Sequence, residues 1–580
     1  MKYVGIDIGD GESAVSVVSR DGALLPTVVP LGNANSIRSI VGRLGEEPVI
    51  GDAVVLNHAV TDRSARFKSR FLYDNRARQD LRLFAEGLYA MLSKALHDDE
   101  LKIALGCPAA WKPEARGRYA AIVASAGFQN LYTVSESRAA FLYGHYCNEL
   151  NLSQQMLQRP TLVIDIGSST IDYAYIVDGR ERDVGVFGEV LLGGGLLDEL
   201  ILKKAVEESS DREAIEDVFR RFPSWKSYCE LIGRTLKEEY FLNEERWANT
   251  PCSSIAPIYA DAETVLTLPI SLCGRDMDHL LDQGIAALEG RSFRQALGDT
   301  LTRARDMTSE HPPELLLVTG GASRMKFFQE ACRETFPQAA LALCGEPELS
   351  IARGLGIAAR TDDMLGRFRG EVAGYFRSGA IKREIELQVP HLLPDYVPKT
   401  AQLLEQQGVL QAVMDFQGRL RDTEQLRQYL LDRIAEVFRD RELTEESDRI
   451  INQWIEKRLT SVQNDLNDIC DRYMIDRADM SLVKIHAEVP ITHLSIPLNL
   501  RVLAAISQQP LLRKLLWGAR PLIRHRPKAD SGMTKQLRRR LTAELSDPSG
   551  EFAKALSAQL VGELQQQIDI QTQKVEIQIQ

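Results

Sequence analysis

The sequence lacks cysteine pairs, long apolar runs and an excess of positive charge. No apolar run approaches the roughly 20 residues that a bilayer requires, so no membrane span is predicted. The formal net charge of −11 excludes a global basic field that would attract nucleic acid. None of the eight cysteines forms a CxxC pair or a zinc-ligand spacing: Cys107, Cys147, Cys229, Cys252, Cys273, Cys332, Cys344 and Cys470. With no signal-type N-terminus, this cysteine usage predicts a reduced, cytoplasmic protein.

The 580 residues are too many for one hydrophobic core, so two or more domains are expected. Residues 1–365 alternate strand and helix patterns, and several buried runs end in glycine, such as KYVGIDIG, TLVIDIG and ELLLVTGG. This pattern predicts an α/β domain with ligands at the strand ends. Residues 366–580 are rich in Gln, Glu, Arg and Leu with helical periodicity, which predicts an all-α domain. The stretch AIKREIELQVP, residues 380–390, is the one strand expected there.

Two related turns follow strand-ending aspartates. In VGIDIGDGES, Asp7 precedes a turn, and in LVIDIGSST, Asp165 precedes another. Small turn residues let backbone N–H groups approach a phosphate chain closely. An Asp that faces phosphate implies a divalent cation between them, usually Mg²⁺ with its water shell. Either turn alone is equally well explained by an ordinary hairpin with a turn-favouring Asp.

Two glycine runs add to this pattern. Gly193 to Gly195 come just before a predicted helix, an arrangement typical of a phosphate or ribose site but also found in plain loops. In LLLVTGGASRMKFF, a strand leads to Gly320 and Gly321 and then to a helix with Arg324. This layout predicts an adenine held against backbone, with the guanidinium stacked on it.

These elements, in this order, resemble the actin-like ATPase superfamily and, within it, the nucleotide-binding domain of the seventy-kilodalton heat-shock chaperones of DnaK type. The resemblance covers residues 3 to about 360. It includes the segment CPAAWKPEARGRYAAIVASAGFQNLYTVSESRAAFLYGH, which carries Pro108, Arg116 and Glu136 at the family's proline, arginine and glutamate, and the stretch EPELSIARGLGIAA, which is similar to the family's last helix. The resemblance implies a two-lobed actin-like fold, built from a duplicated ribonuclease-H-like domain, which binds ATP and Mg²⁺.

The resemblance also implies roles for individual residues. Asp7, Glu136 and Asp165 are the expected catalytic residues, and Asp7, Asp165 and Asp172 are the expected Mg²⁺ residues. Asp198 matches the acid that follows the family's glycine pair. The helix YCELIGRTLKEEYF aligns with the family's adenosine-side helix in two registers. The assignment of Glu230, Arg234 and Lys237 as nucleotide contacts depends on which register holds. The expected nucleotide-binding residues are Gly9, Asp10, Gly11, Gly167, Ser168, Ser169, Thr170, Gly193, Gly194, Glu230, Arg234, Lys237, Gly320, Gly321 and Arg324.

The chain departs from the family at positions that bear on catalysis. Asp10 stands where the family has a threonine-type donor, and its carboxylate would repel a phosphate unless a metal intervened. Val55, in GDAVV, stands where the family's catalytic lysine is expected. Arg63, Lys68 and Arg70 follow shortly after and are candidates to replace it. The second turn has Ser168 and Ser169 where glycines are usual.

The resulting functional hypothesis is a slow cytoplasmic ATPase of chaperone type. Water attacks the γ-phosphate with metal assistance, and Glu136 or Asp165 orients or deprotonates the water. Nucleotide state then switches a helical effector domain that binds a protein partner or client. Two alternatives are an ATP-dependent actin-like filament former and a small-molecule kinase of the same superfamily.

A basic and apolar segment, residues 501–540, stands out in the helical region. It contains eleven Lys or Arg residues and one acid, Asp530, and it includes Trp517. Three alternatives stay open. The favoured one is a bundle helix whose arginines pair with acids elsewhere. The second is an interfacial segment on an anionic membrane, which would make the protein peripheral to that membrane, and the third is a nucleic-acid contact.

Overall fold

The computed structural model divides the chain into two compact units, Met1–Asp363 and Met364–Ile577. Each unit is described by itself below. The residues that the structure describes are 1–20, 25–57, 59–96, 100–109, 111–146, 159–177, 180–182, 188–189, 192–260, 264–344, 346–412, 429–430, 432–434, 436–437, 441–473, 475–483 and 532–579.

The described residues in the first half of unit Met1–Asp363 form nine strands in two sheets. They are β1 (Lys2–Ile8), β2 (Glu12–Ser19), β3 (Thr27–Val28), β4 (Ser36–Arg38), β5 (Ile40–Leu44), β6 (Glu47–Ile50), β7 (Thr61–Ala65), β8 (Leu101–Cys107) and β9 (Leu131–Ser135). The main sheet has the order β3-β2-β1-β8-β9, with β4 also paired to β2, and β5 to β7 form a separate small sheet in the order β6-β5-β7. Pro108 follows β8 directly, as expected for a residue that cannot continue the hydrogen bonding of a strand.

The second half has eight strands among its described residues, again in two sheets. They are β10 (Thr161–Ile166), β11 (Ile171–Val177), β12 (Arg180–Arg182), β13 (Gly188–Glu189), β14 (Cys252–Tyr259), β15 (Val265–Leu272), β16 (Leu315–Thr319) and β17 (Ala340–Leu343). The main sheet has the order β12-β11-β10-β16-β17, with β13 paired to β11, and β14 and β15 form a hairpin.

The two main sheets share one topology. In the first sheet, β1 is antiparallel to β2 and parallel to β8, and β8 is parallel to β9. In the second sheet, β10 is antiparallel to β11 and parallel to β16, and β16 is parallel to β17. β3 is antiparallel to β2, and β12 is likewise antiparallel to β11. The unit is therefore a mixed α/β structure in which one strand arrangement occurs twice, and β1 and β10 hold equivalent central positions.

Helices follow the strands of both halves. Those that begin in this unit are α1 (Asp52–Leu56), α2 (Phe67–Arg70), α3 (Asn75–Ala95), α4 (Pro113–Ala124), α5 (Glu136–Tyr146), α6 (Gly194–Glu208), α7 (Arg212–Arg221), α8 (Pro223–Leu242), α9 (Glu244–Trp247), α10 (Gly274–Asp282), α11 (Phe293–Met307), α12 (Lys326–Thr335) and α13 (Pro347–Arg377). Short 3-10 turns occupy Ala286–Leu288 and Gly321–Arg324. Pro113 begins α4 because its missing N–H is unpaired at that position anyway.

The apolar faces of α5 and α13 pack into a core that both main sheets share. This core contains Tyr3 and Ala104 from the first sheet and Val163 and Leu317 from the second. Because α5 begins at Glu136, the packing of its apolar face fixes where that carboxylate lies.

Unit Met364–Ile577 is helical over its described residues. Its helices are α14 (Ala380–Leu403), α15 (Arg441–Arg458), α16 (Thr460–Arg472), α17 (Gly532–Leu545) and α18 (Glu551–Ile579), with a π-helix at Leu404–Leu410 and a 3-10 turn at Arg477–Met480. The strand expected at residues 380–390 is wrong, because this stretch begins α14. Its apolar residues Ile381, Ile385 and Val389 recur every four positions and are all buried.

Most of the basic segment 501–540 lies outside the described residues, which resume at residue 532 in α17. Within α17, the Arg538 Nε donates to the Glu405 Oε2 at 2.5 Å, and the Glu405 side chain is fully buried. One positive charge of the segment is therefore paired inside the unit. A search of the described helices for an apolar stretch long enough to cross a bilayer found none.

Candidate functional site

Two equivalent turns lie at the ends of β1 and β10. The Gly9 N–H donates to the Glu12 carbonyl at 3.0 Å, and the Gly167 N–H donates to the Thr170 carbonyl at 3.0 Å. The first turn has Asp10 and Gly11 at its tip, and the second has Ser168 and Ser169. Asp7 and Asp165 are each the second-to-last residue of the strand that leads into the turn. The two-fold repeat of the fold therefore brings two strand-end aspartates and two turns into one site.

A buried lysine joins the acidic residues beneath the first turn. The Lys68 Nζ donates to the Glu136 Oε1 at 2.5 Å and lies 3.8 Å from the Asp7 Oδ1. The three side chains retain only 7 to 14% of their exposure. Asp172 pairs in register with Asp165 across β10 and β11.

The acidic side chains of this cluster outnumber the lysine that contacts them, and the pKa values of its aspartates are raised. Burial raises the pKa of Asp7 to about 7, with Lys68 lowering it and Glu136 raising it further. Burial and three neighbouring acids raise the pKa of Asp165 well above its usual range. Burial raises the pKa of Asp172 to about 6 against the hydrogen bond from Thr170. Burial lowers the pKa of Lys68, but Glu136 and other groups outweigh this, so its net pKa is raised and the ammonium stays charged.

This donor set fits a divalent cation held through its water shell. Four carboxylates (Asp7, Glu136, Asp165 and Asp172) share one lysine, and the pKa of each of the three aspartates is raised first by burial and then by the neighbouring acids. Among the described residues, no three His, Cys, Asp or Glu side chains converge closely enough to bind a metal directly. Carboxylates that contact a hydrated Mg²⁺ through its waters need not converge so closely, because Mg²⁺ usually keeps several waters.

The Asp10 carboxylate accepts hydrogen bonds from backbone N–H groups. Its Oδ1 accepts from the Lys68 N–H at 2.9 Å, and both of its oxygens accept from the Ser69 N–H at 3.1 Å. A carboxylate is well suited to N–H groups in the first turn of a short helix such as α2. The repulsion expected between Asp10 and a phosphate is thus reduced, and Asp10 fixes the backbone from which Lys68 projects.

Of the three candidates to replace the family's lysine, only Lys68 reaches the acidic cluster. Arg63 donates to the Val54 and Asn57 carbonyls. Arg70 donates to the Arg66 and Ala65 carbonyls. Val55 is buried in a small apolar cluster with Ile40, Val54 and Val60.

The Gly193–Gly195 run packs against the second turn. The Gly194 N–H donates to the Gly167 carbonyl at 3.0 Å, and the Gly195 N–H donates to the Ser168 carbonyl at 2.6 Å. A Cβ on Gly193 would lie 2.6 Å from that same Ser168 carbonyl, so a larger residue does not fit there. The first N–H groups of α6, expected to face a phosphate, are bonded to the turn in this structure.

Gly320 lies against the Asp165 carboxylate. Its φ of +83° is in the left-handed region, and a Cβ there would lie 2.4 Å from the Asp165 Oδ1. Glycine is therefore required for β16 to approach the Asp165 carboxylate. Gly321 begins the 3-10 turn Gly321–Arg324, and Arg324 forms two hydrogen bonds with Glu348, at 3.0 and 2.9 Å.

The three residues expected from α8 all lie near the turns. Arg234 and Lys237 form hydrogen bonds there, and Glu230 forms an ion pair with Arg66. Arg234 donates to the Gly11 carbonyl at 2.9 Å and to the Glu12 Oε1 at 3.1 Å. The Lys237 Nζ donates to the Gly194 carbonyl and pairs with Asp198, both at 2.6 Å. Glu230 lies 4.0 Å from the Arg66 Nη2, and burial raises its pKa against the attraction of Arg66.

Arg66 is a site residue that the sequence did not indicate. It adopts a left-handed φ of +55° just before α2, and its Nη2 donates to the Gly195 carbonyl at 2.9 Å. Its Nη1 is hydrogen-bonded to Glu199. No motif marks this arginine, because its position depends on the path of the backbone between β7 and α2.

A small cavity lies between the turns and α8. Its volume is about 60 Å³, below the roughly 300 Å³ at the lower end of ligand pockets. A nucleotide does not fit into this space until the surrounding elements move apart. The lining residues are Asp10, Gly11, Arg38, Ser39, Ile40, Ala65, Arg66, Ser168, Asp198, Ser227, Glu230, Leu231 and Arg234.

Comparison with known proteins does not supply an identity for the chain. Neither a scan against protein-family models nor a search of curated proteins found a match.

Proposed function

We propose that the protein binds ATP with Mg²⁺ and hydrolyses it slowly, as a chaperone-like member of the actin-like ATPase superfamily. The observation that carries the proposal is the pair of strand-end aspartates, Asp7 and Asp165, at equivalent positions of two sheets with the same strand order. Such a repeat is what a two-lobed actin-like fold requires, and it supports a phosphate site between two facing turns.

The proposed reaction is attack of water on the terminal phosphate. A Mg²⁺ ion would supply charge neutralisation of the phosphates, with Asp7, Asp165 and Asp172 near its water shell. Glu136 or Asp165 orients the attacking water and accepts its proton as the new P–O bond forms. The bond from phosphorus to the bridging oxygen breaks, and the nucleoside diphosphate leaves with that oxygen.

Lys68 has two tasks in this proposal. Its ammonium holds Glu136 in place at 2.5 Å before substrate arrives, and it supplies positive charge next to the reacting phosphate. It thereby takes the role of the lysine that Val55 cannot provide. Backbone N–H groups of the two turns and of the Gly193–Gly195 run are the proposed phosphate donors, once the Gly194 and Gly195 N–H groups leave the second turn.

The helical unit Met364–Ile577 is the proposed effector. It is a separate compact unit whose described residues are helical, which supports a dedicated binding role for a protein partner or client. In this proposal the nucleotide state changes what that unit binds. Pull-down with an Asp165→Asn variant in ATP and in ADP tests it, and a nucleotide-independent set of bound proteins contradicts it.

Calorimetry with Mg²⁺-ATP and Mg²⁺-GTP tests the nucleotide itself. We expect heat with ATP, little with GTP, and phosphate release without any added acceptor. Asp165→Asn should keep the fold and nucleotide binding but lower phosphate release more than about tenfold. No heat with ATP, or a preference for GTP, contradicts the proposal. Release only with a small-molecule acceptor favours a kinase, and ATP-dependent pelleting in the centrifuge favours a filament former.

A further inference from the structure

A second cavity lies in the half of unit Met1–Asp363 that contains β10 to β17. Its volume is about 690 Å³, within the roughly 300 to 1,000 Å³ that ligand pockets occupy. None of its lining residues belongs to the expected nucleotide site or to the small cavity described above. Its charged and hydroxyl-bearing lining residues are Tyr240 from α8, Glu244 and Glu245 from α9, Arg275 and Asp278 from α10, and Lys326 from α12.

Backbone contacts hold the wall of this cavity in place. The Gly274 N–H donates to the Ala248 carbonyl at 3.2 Å, which joins the start of α10 to the residue after α9. A Cβ on Gly274 would lie 2.8 Å from that carbonyl oxygen, so the close approach requires glycine. Cys273 and Asp276 form a capping box at the start of α10. The cavity is therefore a fixed feature of this half of the unit.

Glu244 contributes a buried oxygen that lacks a hydrogen-bond partner. Its Oε1 has almost no solvent exposure and accepts no hydrogen bond. Burial raises the pKa of Glu244, and the positive charge of Lys326 opposes that rise. Burial first and Glu244 second raise the pKa of the Tyr240 hydroxyl to about 12, so the hydroxyl stays neutral. A buried carboxylate oxygen without a donor is unfavourable, and a ligand with N–H groups would complete its bonding.

The other charges of the cavity define which ligand would fit. Arg275, Lys326 and Glu245 are exposed. Within the described part of the chain, Arg275 and Glu245 form no ion pair, whereas Asp278 pairs with Arg294 at 3.0 Å. A cation beside the Glu244 carboxylate matches a ligand with adjacent charges of opposite sign. In a free α-amino acid, the ammonium and the carboxylate are attached to the same carbon atom.

We propose that this cavity binds a free α-amino acid with a cationic side chain. The α-ammonium donates to the Glu244 Oε1, the α-carboxylate accepts from Arg275 and Lys326, and the side-chain cation lies beside Glu245. The lining carries three acids and two bases, so its formal charge of −1 is opposite to the +1 of such an amino acid. This inference does not rest on the proposed nucleotide site, and either can fail without the other.

Calorimetry on the full chain without nucleotide tests this with L-arginine as the probe. We expect a dissociation constant below about 1 mM. Three related compounds each lack one charged group: agmatine lacks the carboxylate, N-acetyl-L-arginine lacks the ammonium, and L-citrulline lacks the side-chain charge. Each should bind at least about tenfold more weakly than L-arginine. Absence of saturable heat with L-arginine, or a related compound that binds as tightly, overturns the inference.

Two variants assign the contacts to residues. Glu244→Gln should weaken L-arginine binding at least about tenfold. Arg275→Ala should weaken L-arginine binding by a similar factor but change agmatine binding less than about threefold, since agmatine has no carboxylate. Because Arg275 is exposed, this second variant should fold even if Glu244→Gln does not.

Glu239→Gln is the matched control, because Glu239 is an exposed acid of α8 that does not line the cavity. It should leave L-arginine binding unchanged. Equal losses for L-arginine and agmatine in Arg275→Ala, or no loss for either, overturn the inference. A loss in Glu239→Gln as large as that in Glu244→Gln overturns it as well, since the binding would then follow the overall charge rather than this cavity.

Discussion

The Lys68 ammonium donates to the Glu136 carboxylate at 2.5 Å, although the two residues are 68 positions apart. Lys68 comes from the short helix α2, and Glu136 is the first residue of α5, which is packed in the shared core. The Asp10 carboxylate fixes the backbone of α2, and the core fixes α5. The pair is thus positioned from both sides before any substrate arrives.

Lys68→Met should lower phosphate release by about 100-fold or more, because the ammonium that contacts Asp7 and Glu136 is lost. Nucleotide binding should persist, since backbone N–H groups contribute most of the proposed phosphate contacts. Single-turnover phosphate release measures the effect. Arg63→Ala is the control, as Arg63 bonds to carbonyls outside the cluster. Phosphate release by Lys68→Met within about tenfold of wild type would exclude Lys68 from the proposed mechanism.

Without divalent cations, the free energy of unfolding should fall as pH rises from about 4 to 7, between the unfolded and folded pKa values of Asp7. The folded state raises the pKa of Asp7 from 3.8 to about 7 and that of Asp172 to about 6, so it favours their protonated forms. The unfolded chain ionises them near pH 4, and the stability that they contribute at low pH is lost as pH rises through the folded values. Asp7 alone accounts for on the order of 4 kcal/mol. Thermal unfolding in EDTA across this range provides the measurement.

Asp165→Asn should remove part of that dependence. Burial raises the Asp165 pKa first, and Glu136, Asp172 and Asp7 raise it further, so a neutral amide avoids an unfavourable charge. The variant should therefore unfold at a higher temperature than wild type at pH 8 and at a similar temperature at about pH 3.5, where most of the Asp165 carboxyl is protonated in the unfolded chain as well. This is the exchange of stability for activity that the proposed catalytic role of Asp165 implies. A variant less stable than wild type at pH 8 contradicts the electrostatic account.

Arg66→Ala should accelerate nucleotide exchange. Arg66 belongs to the first half of its unit, yet it donates to the Gly195 carbonyl and pairs with Glu199 in the second half. Because the cavity between these residues is too small for a nucleotide, these contacts must break when it enters or leaves. Stopped-flow fluorescence with a labelled nucleotide should show faster association and dissociation. The control is Arg70→Ala, because Arg70 donates to the Arg66 and Ala65 carbonyls within the first half. Unchanged rates in Arg66→Ala argue against this role.

Arg538→Ala should destabilise the helical unit by about 3–5 kcal/mol, because it leaves the fully buried Glu405 carboxylate without its counter-ion. Hydrogen exchange in the full chain should increase in α14 and α17. Arg539 is the neighbouring exposed arginine, and Arg539→Ala should change little. Equal protection in both variants would show that the Glu405–Arg538 pair does not hold these helices.

The local elements of the first unit were predictable because their signals are local. A buried run such as TLVIDIG becomes β10, and Pro113 begins α4, since the residues that determine these elements adjoin each other. The helical character of the second region was predictable for the same reason. The strand expected at residues 380–390 was wrong, because alternating residues in AIKREIELQVP suggested a period of two, whereas the buried residues follow a period close to four.

The sequence by itself determined which residues lie at strand ends: Asp7, Asp165 and their turns. Only the tertiary structure decided which cation joins them, because three candidates lay within eight positions and only the backbone path after β7 directs Lys68 to Glu136. It likewise decided that Asp10 binds the α2 backbone while Ser168 and Ser169 remain unpaired. The physical reason is that hydrogen bonding and burial depend on neighbours distant in sequence, and no spacing within a motif specifies them.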